Sequence, residues 1–142
     1  MKVLFDTCVI LDYLMDRKPF SNDAYELVKF VANDRFEGCL TVKTMMDIHY
    51  VIKNKLNDEA KTRKILKNLS ELFDVVDSSA YCCLKAIESK ITDYEDAMMS
   101  LTGETIGVDY FLTRNIKDYK KSTLNIKTPK EFLITLYTNT KE

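Results

Sequence analysis

Near its start the chain carries Val3-Leu4-Phe5, three apolar residues in succession, closed at once by Asp6. A strand with one face in water alternates apolar and polar residues. An unbroken apolar run bounded by a polar residue fits a strand buried on both faces, as at the centre of a parallel sheet. Parallel neighbours need long crossover connections, and the remaining sequence supplies them as helical patterns between short β-branched or apolar runs. Strands are expected at Lys2–Phe5, Phe36–Val42, Leu72–Val76, Tyr110–Thr113 and Asn125–Lys127.

Between these runs, a short helix over Val9–Met15 should end near Lys18-Pro19, because the residue before a proline is turned away from helical geometry. Ser21 can cap a second helix with Ala24, Leu27, Val28 and Val31 on one stripe. Met45, Ile48, Ile52 and Leu56 trace a third, and Ala60 to Leu69 a fourth, which puts two helices in one crossover. Ser78 or Ser79 caps a segment bearing Tyr81, Leu84 and Ile87, and Thr92 opens a helix that ends near Gly103 or Gly107. Thr128-Pro129-Lys130-Glu131 joins a cap, a proline at the first helical position and a glutamate at the third, leading into Phe132, Leu133 and Leu136. The polar tail Thr138–Glu142 is expected to fray. Strands alternating with helices predict an α/β fold, a parallel sheet covered on both faces, in a single domain over residues 1–142.

Composition excludes several kinds of chemistry. Three glycines among 142 residues leave no room for a P-loop or a GxGxxG dinucleotide fingerprint. Cys8, Cys39, Cys82 and Cys83 lack CxxC spacing and, with His49 as the lone histidine, make a poor zinc set, so they read as buried reduced thiols. No run approaches the roughly 18 apolar residues of a membrane span, and Asp6 interrupts the place of a signal peptide's apolar stretch, so no membrane association and a cytoplasmic location are expected. A formal net charge of −1 gives no overall attraction to nucleic acid; phosphate binding would have to come from local basic groups or from bound metal. Lys53 and Lys55, and Lys61 to Lys64 with Lys67, read as solvated helix faces, whereas Arg114 sits beside the candidate site described next.

Asp6, Asp47, Asp96 and Asp118 all stand where a strand ends or a helix begins. If the strands are parallel neighbours, their C-terminal ends line one edge, where open α/β sheets bind ligands, and the four carboxylates can converge there. Each also has an ordinary explanation, since acidic residues satisfy helix N-termini. Thr44-Met45-Met46-Asp47, Thr92-Asp93-Tyr94-Glu95 and Asn115-Ile116-Lys117-Asp118 resemble capping boxes, and Asp6 can cap the helix beginning near Cys8.

Asp96 escapes that explanation: Glu95 fills the box and Asp93 supplies first-turn charge, which leaves Asp96 with no capping role. Asp6 follows a central strand, where an unpartnered carboxylate is costly to bury. A cation shared by Asp6 and Asp96, directly or through water, resolves both difficulties, with Asp47 and Asp118 as the further catalytic carboxylates that adjust the field or hold a second metal. Two carboxylates 4 Å apart repel by about 4 kcal/mol at an effective dielectric near 20, so a cluster takes up protons or a cation, and oxygen-only ligands select a hard ion such as Mg²⁺ or Mn²⁺. Such an ion can generate hydroxide and hold a phosphate in line, which suits phosphodiester hydrolysis. No histidine near the motifs offers a general base, and His49, on the helix after Asp47, reads as structural.

Phe5-Asp6-Thr7-Cys8-Val9-Ile10-Leu11-Asp12, Thr44-Met45-Met46-Asp47-Ile48, Asp93-Tyr94-Glu95-Asp96-Ala97 and Phe111-Leu112-Thr113-Arg114-Asn115-Ile116-Lys117-Asp118-Tyr119 together resemble the PIN domain over almost the whole chain. The likeness is greatest to the prokaryotic single-domain VapC toxins of toxin–antitoxin pairs. The resemblance implies a three-layer α/β/α fold with sheet order 3-2-1-4-5, and Mg²⁺- or Mn²⁺-dependent endoribonuclease cleavage of single-stranded RNA. It implies Asp6 and Asp96 as metal ligands, Asp47 at the second acidic position, and Asn115 and Asp118 at the last polar corner. Thr7 and Thr113 would hydrogen-bond around the site, Asp93 would support it, and Arg114 would meet substrate. Homodimers and an antitoxin that occludes the acidic cleft are further implications. Two positions depart from the family pattern: Asp47 stands where glutamate is common, and Cys8 stands where asparagine is common.

A non-catalytic RNA- or protein-binding module on the same fold is the competing expectation. It predicts RNA binding without turnover, unaffected by chelator. A phosphatase of the haloacid-dehalogenase type would need a second aspartate two residues after Asp6, where Cys8 stands, and a receiver domain would need a lysine-bearing strand end that the sequence lacks.

Overall fold

In the computed structural model, which describes residues 1–140, β1 (Lys2–Phe5) lies at the centre of a five-stranded sheet ordered β3-β2-β1-β4-β5. Its partners are β2 (Glu37–Thr41), β3 (Asp74–Val76), β4 (Tyr110–Leu112) and β5 (Ile126–Lys127), and every pairing is parallel. The central position explains the apolar run: Val3, Leu4 and Phe5 are each 0% exposed, because helices cover both faces. Their alternation divides the core. Val3 and Phe5 point into the larger cluster, with Leu40, Leu112 and Phe73, while Leu4 points to the other side with Cys39, Phe111 and Met99.

The larger layer is built by α1 (Thr7–Leu14), α2 (Ser21–Ala32), α3 (Val42–Leu56), α4 (Glu59–Leu72) and α7 (Pro129–Asn139); α5 (Ala80–Ile87) and α6 (Tyr94–Ile106) cover the opposite face. Gly38 of β2 shows how closely the first layer is seated, since a Cβ there would stand 2.7 Å from the Phe73 ring. The Thr128 capping box and Pro129 form as expected. The helix continues through Asn139, so Thr138 and Asn139 belong to it; Lys141 and Glu142 of the expected tail lie outside the described residues.

Several boundaries differ from expectation for local reasons. β2 stops at Thr41 because the Thr41 side chain accepts the Thr44 N–H and caps α3, so Val42 is already helical. Ser21 is the first residue of α2 and not its cap; Phe20 holds that position, with no side-chain bond to the helix. On α5 the spacing of Tyr81, Leu84 and Ile87 marks a stripe, but those side chains are exposed and the buried pair is Cys82 and Ala86. Leu56, at the end of the α3 stripe, is also exposed. Among the described residues no helix is long and apolar enough to cross a membrane.

Candidate active site

The strand ends at the C-terminal edge deliver the first carboxylate. β1 stops at Phe5, and Asp6 turns the chain into α1 as its N-cap, with the Asp6 N–H bonded to the Leu112 carbonyl of β4 at 2.9 Å. The Asp6 carboxylate accepts the Thr7 N–H at 2.8 Å on one oxygen and the Thr113 hydroxyl at 2.7 Å on the other. Thr113 is itself held by the Asn115 N–H, 3.1 Å away, and Thr7 shares a hydroxyl bond of 2.9 Å with Thr44. These donors are neutral, so Asp6 is oriented without losing its charge, and each oxygen retains acceptor capacity. Cys8 Sγ stands 3.8 Å from Asp6 and contributes little orientation beside the Thr7 and Thr113 donors.

Asp96 enters from α6, whose cap is Asp93 and not Thr92: the Asp93 side chain accepts the Asp96 N–H at 3.0 Å. The helix therefore starts one residue later than Thr92 implies, and Asp96, not Glu95, holds the third helical position. Even so, the Asp96 carboxylate is not bonded back to the cap; it accepts the Tyr119 hydroxyl at 3.0 Å. Burial raises the carboxyl pKa of both Asp6 and Asp96 above the ordinary 3.8, partly offset at Asp6 by the Thr113 and Thr7 hydrogen bonds and at Asp96 by Tyr119. The charge of Asp6 adds to the rise at Asp96. Tyr119 is driven up by burial and by the two carboxylates, so it remains a hydrogen-bond donor at any ordinary pH.

Asp47 reaches the cleft from the second turn of α3, too far along for a cap, so Thr44 and Asp47 form no capping box. Its partner is Lys43, one turn earlier, whose ammonium lies 2.6 and 2.7 Å from the two carboxylate oxygens and 3.7 Å from Glu95. Burial pulls the Lys43 pKa down, but the Asp47 hydrogen bond and the charges of Asp47 and Glu95 outweigh it and leave a net rise.

Asp118 is exposed on the 3-10 turn Ile116–Tyr119; Asp6, Asp47 and Asp96 line the cleft, and Asp118 stands near enough for its charge to act on Asp96. Successive residues of so tight a turn point in different directions. Here Tyr119 takes the inward place, packed on Phe111 with ring centroids 4.8 Å apart, and Asp118 influences Asp96 only through its charge. Asn115 lines the cleft at the start of this turn, without the side-chain cap of a box.

Arg114 also lines the cleft, but its guanidinium is turned to Asp12: Nη2 donates to it at 3.3 Å, Nε forms an ion pair at 2.8 Å without hydrogen-bond geometry, and the group sits 4.0 Å over the Phe20 ring. Asp12 is 1% exposed and is also paired with Arg17 at 2.8 Å. Asp12, Arg17, Lys43, Glu95 and Tyr119 are site-forming residues that the pattern reading did not single out. Asp12 carries a signal, a charge directly after the apolar run Val9-Ile10-Leu11 and before Tyr13-Leu14, which demands a partner where it is buried. His49 bonds Glu59 of α4 at 2.9 Å, a structural tie between two helices.

The cleft thus offers oxygen donors from Asp6 and Asp96 that suit a hard divalent cation, with Asp47 already engaged by an ammonium. Among the described residues, the group of three candidate ligands whose ligand atoms lie within 4.8 Å of one another is Glu37, Cys39 and Asp74, at the opposite, N-terminal edge of the sheet, and not the cleft carboxylates. There, hydrogen bonding to Asp74 raises the Glu37 pKa, and burial pushes the Cys39 thiol up to about 11. These two acids are exposed and have no part in the cleft.

No curated protein matches the sequence. Among solved structures, the fold is similar to a chain of VapBC2 from Rickettsia felis bound to a promoter DNA fragment, with 14% identity, a TM-score of 0.69, and coverage of 90% of this chain and 98% of that one. A chain of a toxin–antitoxin complex from Klebsiella pneumoniae matches with 22% identity and a TM-score of 0.64, covering 89% of this chain and 97% of that one. A chain of DNA-bound VapBC from Salmonella typhimurium matches with 17% identity and a TM-score of 0.65, over 91% and 98%. At such identities the likeness speaks for the fold, and the sequence adds its own evidence: residues 2–117 match the family model described as PIN domain. With most of its length matched by that model, from β1 to the turn after β4, the chain belongs to the PIN domain family.

Proposed function

We propose that this protein is a metal-dependent endoribonuclease that hydrolyses phosphodiester bonds of single-stranded RNA. The observation that carries the reading is the pair Asp6 and Asp96, brought into one cleft from β1 and α6 and oriented by neutral donors that leave their charge available. Both would hold Mg²⁺ or Mn²⁺. When bound, such an ion lowers the pKa of water and draws charge from a phosphate. Thr113 and the Thr7 N–H fix the Asp6 carboxylate, Tyr119 fixes that of Asp96, and Asn115 at the cleft wall offers an amide to a phosphate or sugar hydroxyl. Arg114 and Arg17, anchored by Asp12, add positive charge behind the reacting phosphate.

The likeness to VapBC chains supports a role as the toxin of a toxin–antitoxin pair with a cognate antitoxin as partner; the reading adds a cytoplasmic homodimer whose cleft the antitoxin covers. An apolar groove of about 520 Å³ beside the cleft, walled by Val42, Met46, Tyr94 and Met98, suits a protein partner. Purified protein with Mn²⁺ should cleave single-stranded RNA, and Asp6→Asn or Asp96→Asn should abolish cleavage. Equal activity in those variants sinks the assignment, and chelator-insensitive RNA binding without turnover would favour a non-catalytic module. Expression should arrest growth, with relief by Asp96→Asn.

A further inference from the structure

We propose that Lys43 supplies the second positive charge of this cleft, so that the site takes one divalent cation, on Asp6 and Asp96, while Asp47 anchors a lysine and is not a metal ligand. The inference rests on the nuclease reading and deepens it. Lys43 lies in the first turn of α3, with Asp47 one turn on, so the helix itself places the ammonium over both Asp47 oxygens, at 2.6 and 2.7 Å. A half-exposed pair of this kind is weak in isolation. Here a second carboxylate, Glu95 of α6, draws the same ammonium from the other wall of the cleft, at 3.7 Å.

The charges around the cleft leave room for a divalent cation: Asp6, Asp47, Glu95 and Asp96 stand against Lys43 and the Arg17–Asp12–Arg114 group, and Asp93 and Asp118 add negative charge about Asp96. A second divalent cation seated on Asp47 would have to displace Lys43 from both of its oxygens. With one cation bound, the Lys43 ammonium stands at the mouth as a point charge for a phosphate oxygen of the substrate, a positioning role that lysine commonly fills. The shorter arm of Asp47 suits this arrangement, because it keeps the carboxylate close to its own helix and within reach of Lys43.

The test is the number of Mn²⁺ ions bound per chain, measured by calorimetry and by the loss of the free Mn²⁺ electron-spin signal. The wild type should bind one. Lys43→Met should bind a second, which Asp47→Asn in the same chain removes, and Lys43→Arg should return the count to one. At saturating metal, Lys43→Met should raise KM for a short single-stranded RNA by about tenfold. Two Mn²⁺ in the wild type, or one in both the wild type and Lys43→Met with RNA still cleaved, overturns this inference and leaves the nuclease assignment standing. No Mn²⁺ bound by folded wild type overturns both.

Discussion

Asp6, on the floor of the cleft, receives a backbone N–H at 2.8 Å and a threonine hydroxyl at 2.7 Å; Asp47, at the mouth, receives an ammonium on both oxygens. Neutral donors hold a carboxylate in place and leave its charge unspent, whereas an ammonium both holds and neutralises it. Two aspartates of one cleft are thereby made into different groups, one with its charge unmatched and the other already matched. Burial widens the gap, since it raises the pKa of Asp6 and makes its bare negative charge costly.

The sharpest way to break this contrast is to remove one carboxylate at a time. Asp6→Asn should lower RNA cleavage by about a thousandfold, the scale expected when a preorganised charge-stabilising group is lost. Asp47→Asn should lower it by less than about tenfold. Equal losses in single-turnover assays would show that floor and mouth act as one cluster.

Behind the floor, Asp12→Asn strips Arg17 and Arg114 of the carboxylate they share. Both cations are partly solvated, with side chains 37% and 29% exposed, so the loss should be about 2 kcal/mol, below the full value for a broken buried pair. Urea denaturation measures it, and an unchanged midpoint would show the triad to be dispensable.

Thr113→Val removes the floor's neutral donor while keeping its shape. Metal affinity should fall by about 10- to 100-fold, the usual effect of losing a residue that orients a ligand, with little change in fold stability. Affinity equal to wild type would show that the Thr7 N–H alone orients Asp6.

Proton competition gives the smallest and most graded effect. Asp6 and Asp96 titrate above the ordinary 3.8, and a protonated carboxyl must lose its proton before it can hold a cation. Mn²⁺ affinity should therefore decline as pH falls through those raised values, and level off above them. Without metal the sign reverses. A carboxyl whose folded pKa exceeds its unfolded value favours folding at low pH, so this contribution is lost as pH rises from 3.8 through the folded pKa. Thermal unfolding with and without Mn²⁺ at a series of pH values distinguishes the two slopes.

Much of the scaffold was legible before any coordinates. The apolar run Val3-Leu4-Phe5 marked a strand covered on both sides, and Thr128-Pro129-Lys130-Glu131 marked a helix start, because both are short-range patterns with one favoured geometry. Capping was less legible. Thr92 and Asp93 are both good caps one residue apart, and the choice of Asp93 moves Asp96 into the third helical position. The expected spare carboxylate was found, but by a different route: Asp96 could have closed a box and is bonded to Tyr119 instead. The buried face of α5 is not legible for a similar reason, since periodicity reveals a stripe without saying which side meets the sheet.

The sequence by itself determined the order of strands and helices and the presence of a carboxylate at the end of β1 and at the start of α6. These depend on hydrophobic period and on the chemistry of adjacent residues, which act over a few positions along the chain. The tertiary structure decided which carboxylates meet and what each one meets. Asp6 gains Thr113 from 107 residues away, Asp96 gains Tyr119 from 23 residues away, and exposed Asp118 acts on Asp96 through its charge while its neighbour Tyr119 is buried. Charge and hydrogen bonding are set by distance in space, and parallel crossovers bring together groups whose separation along the chain says nothing of that distance.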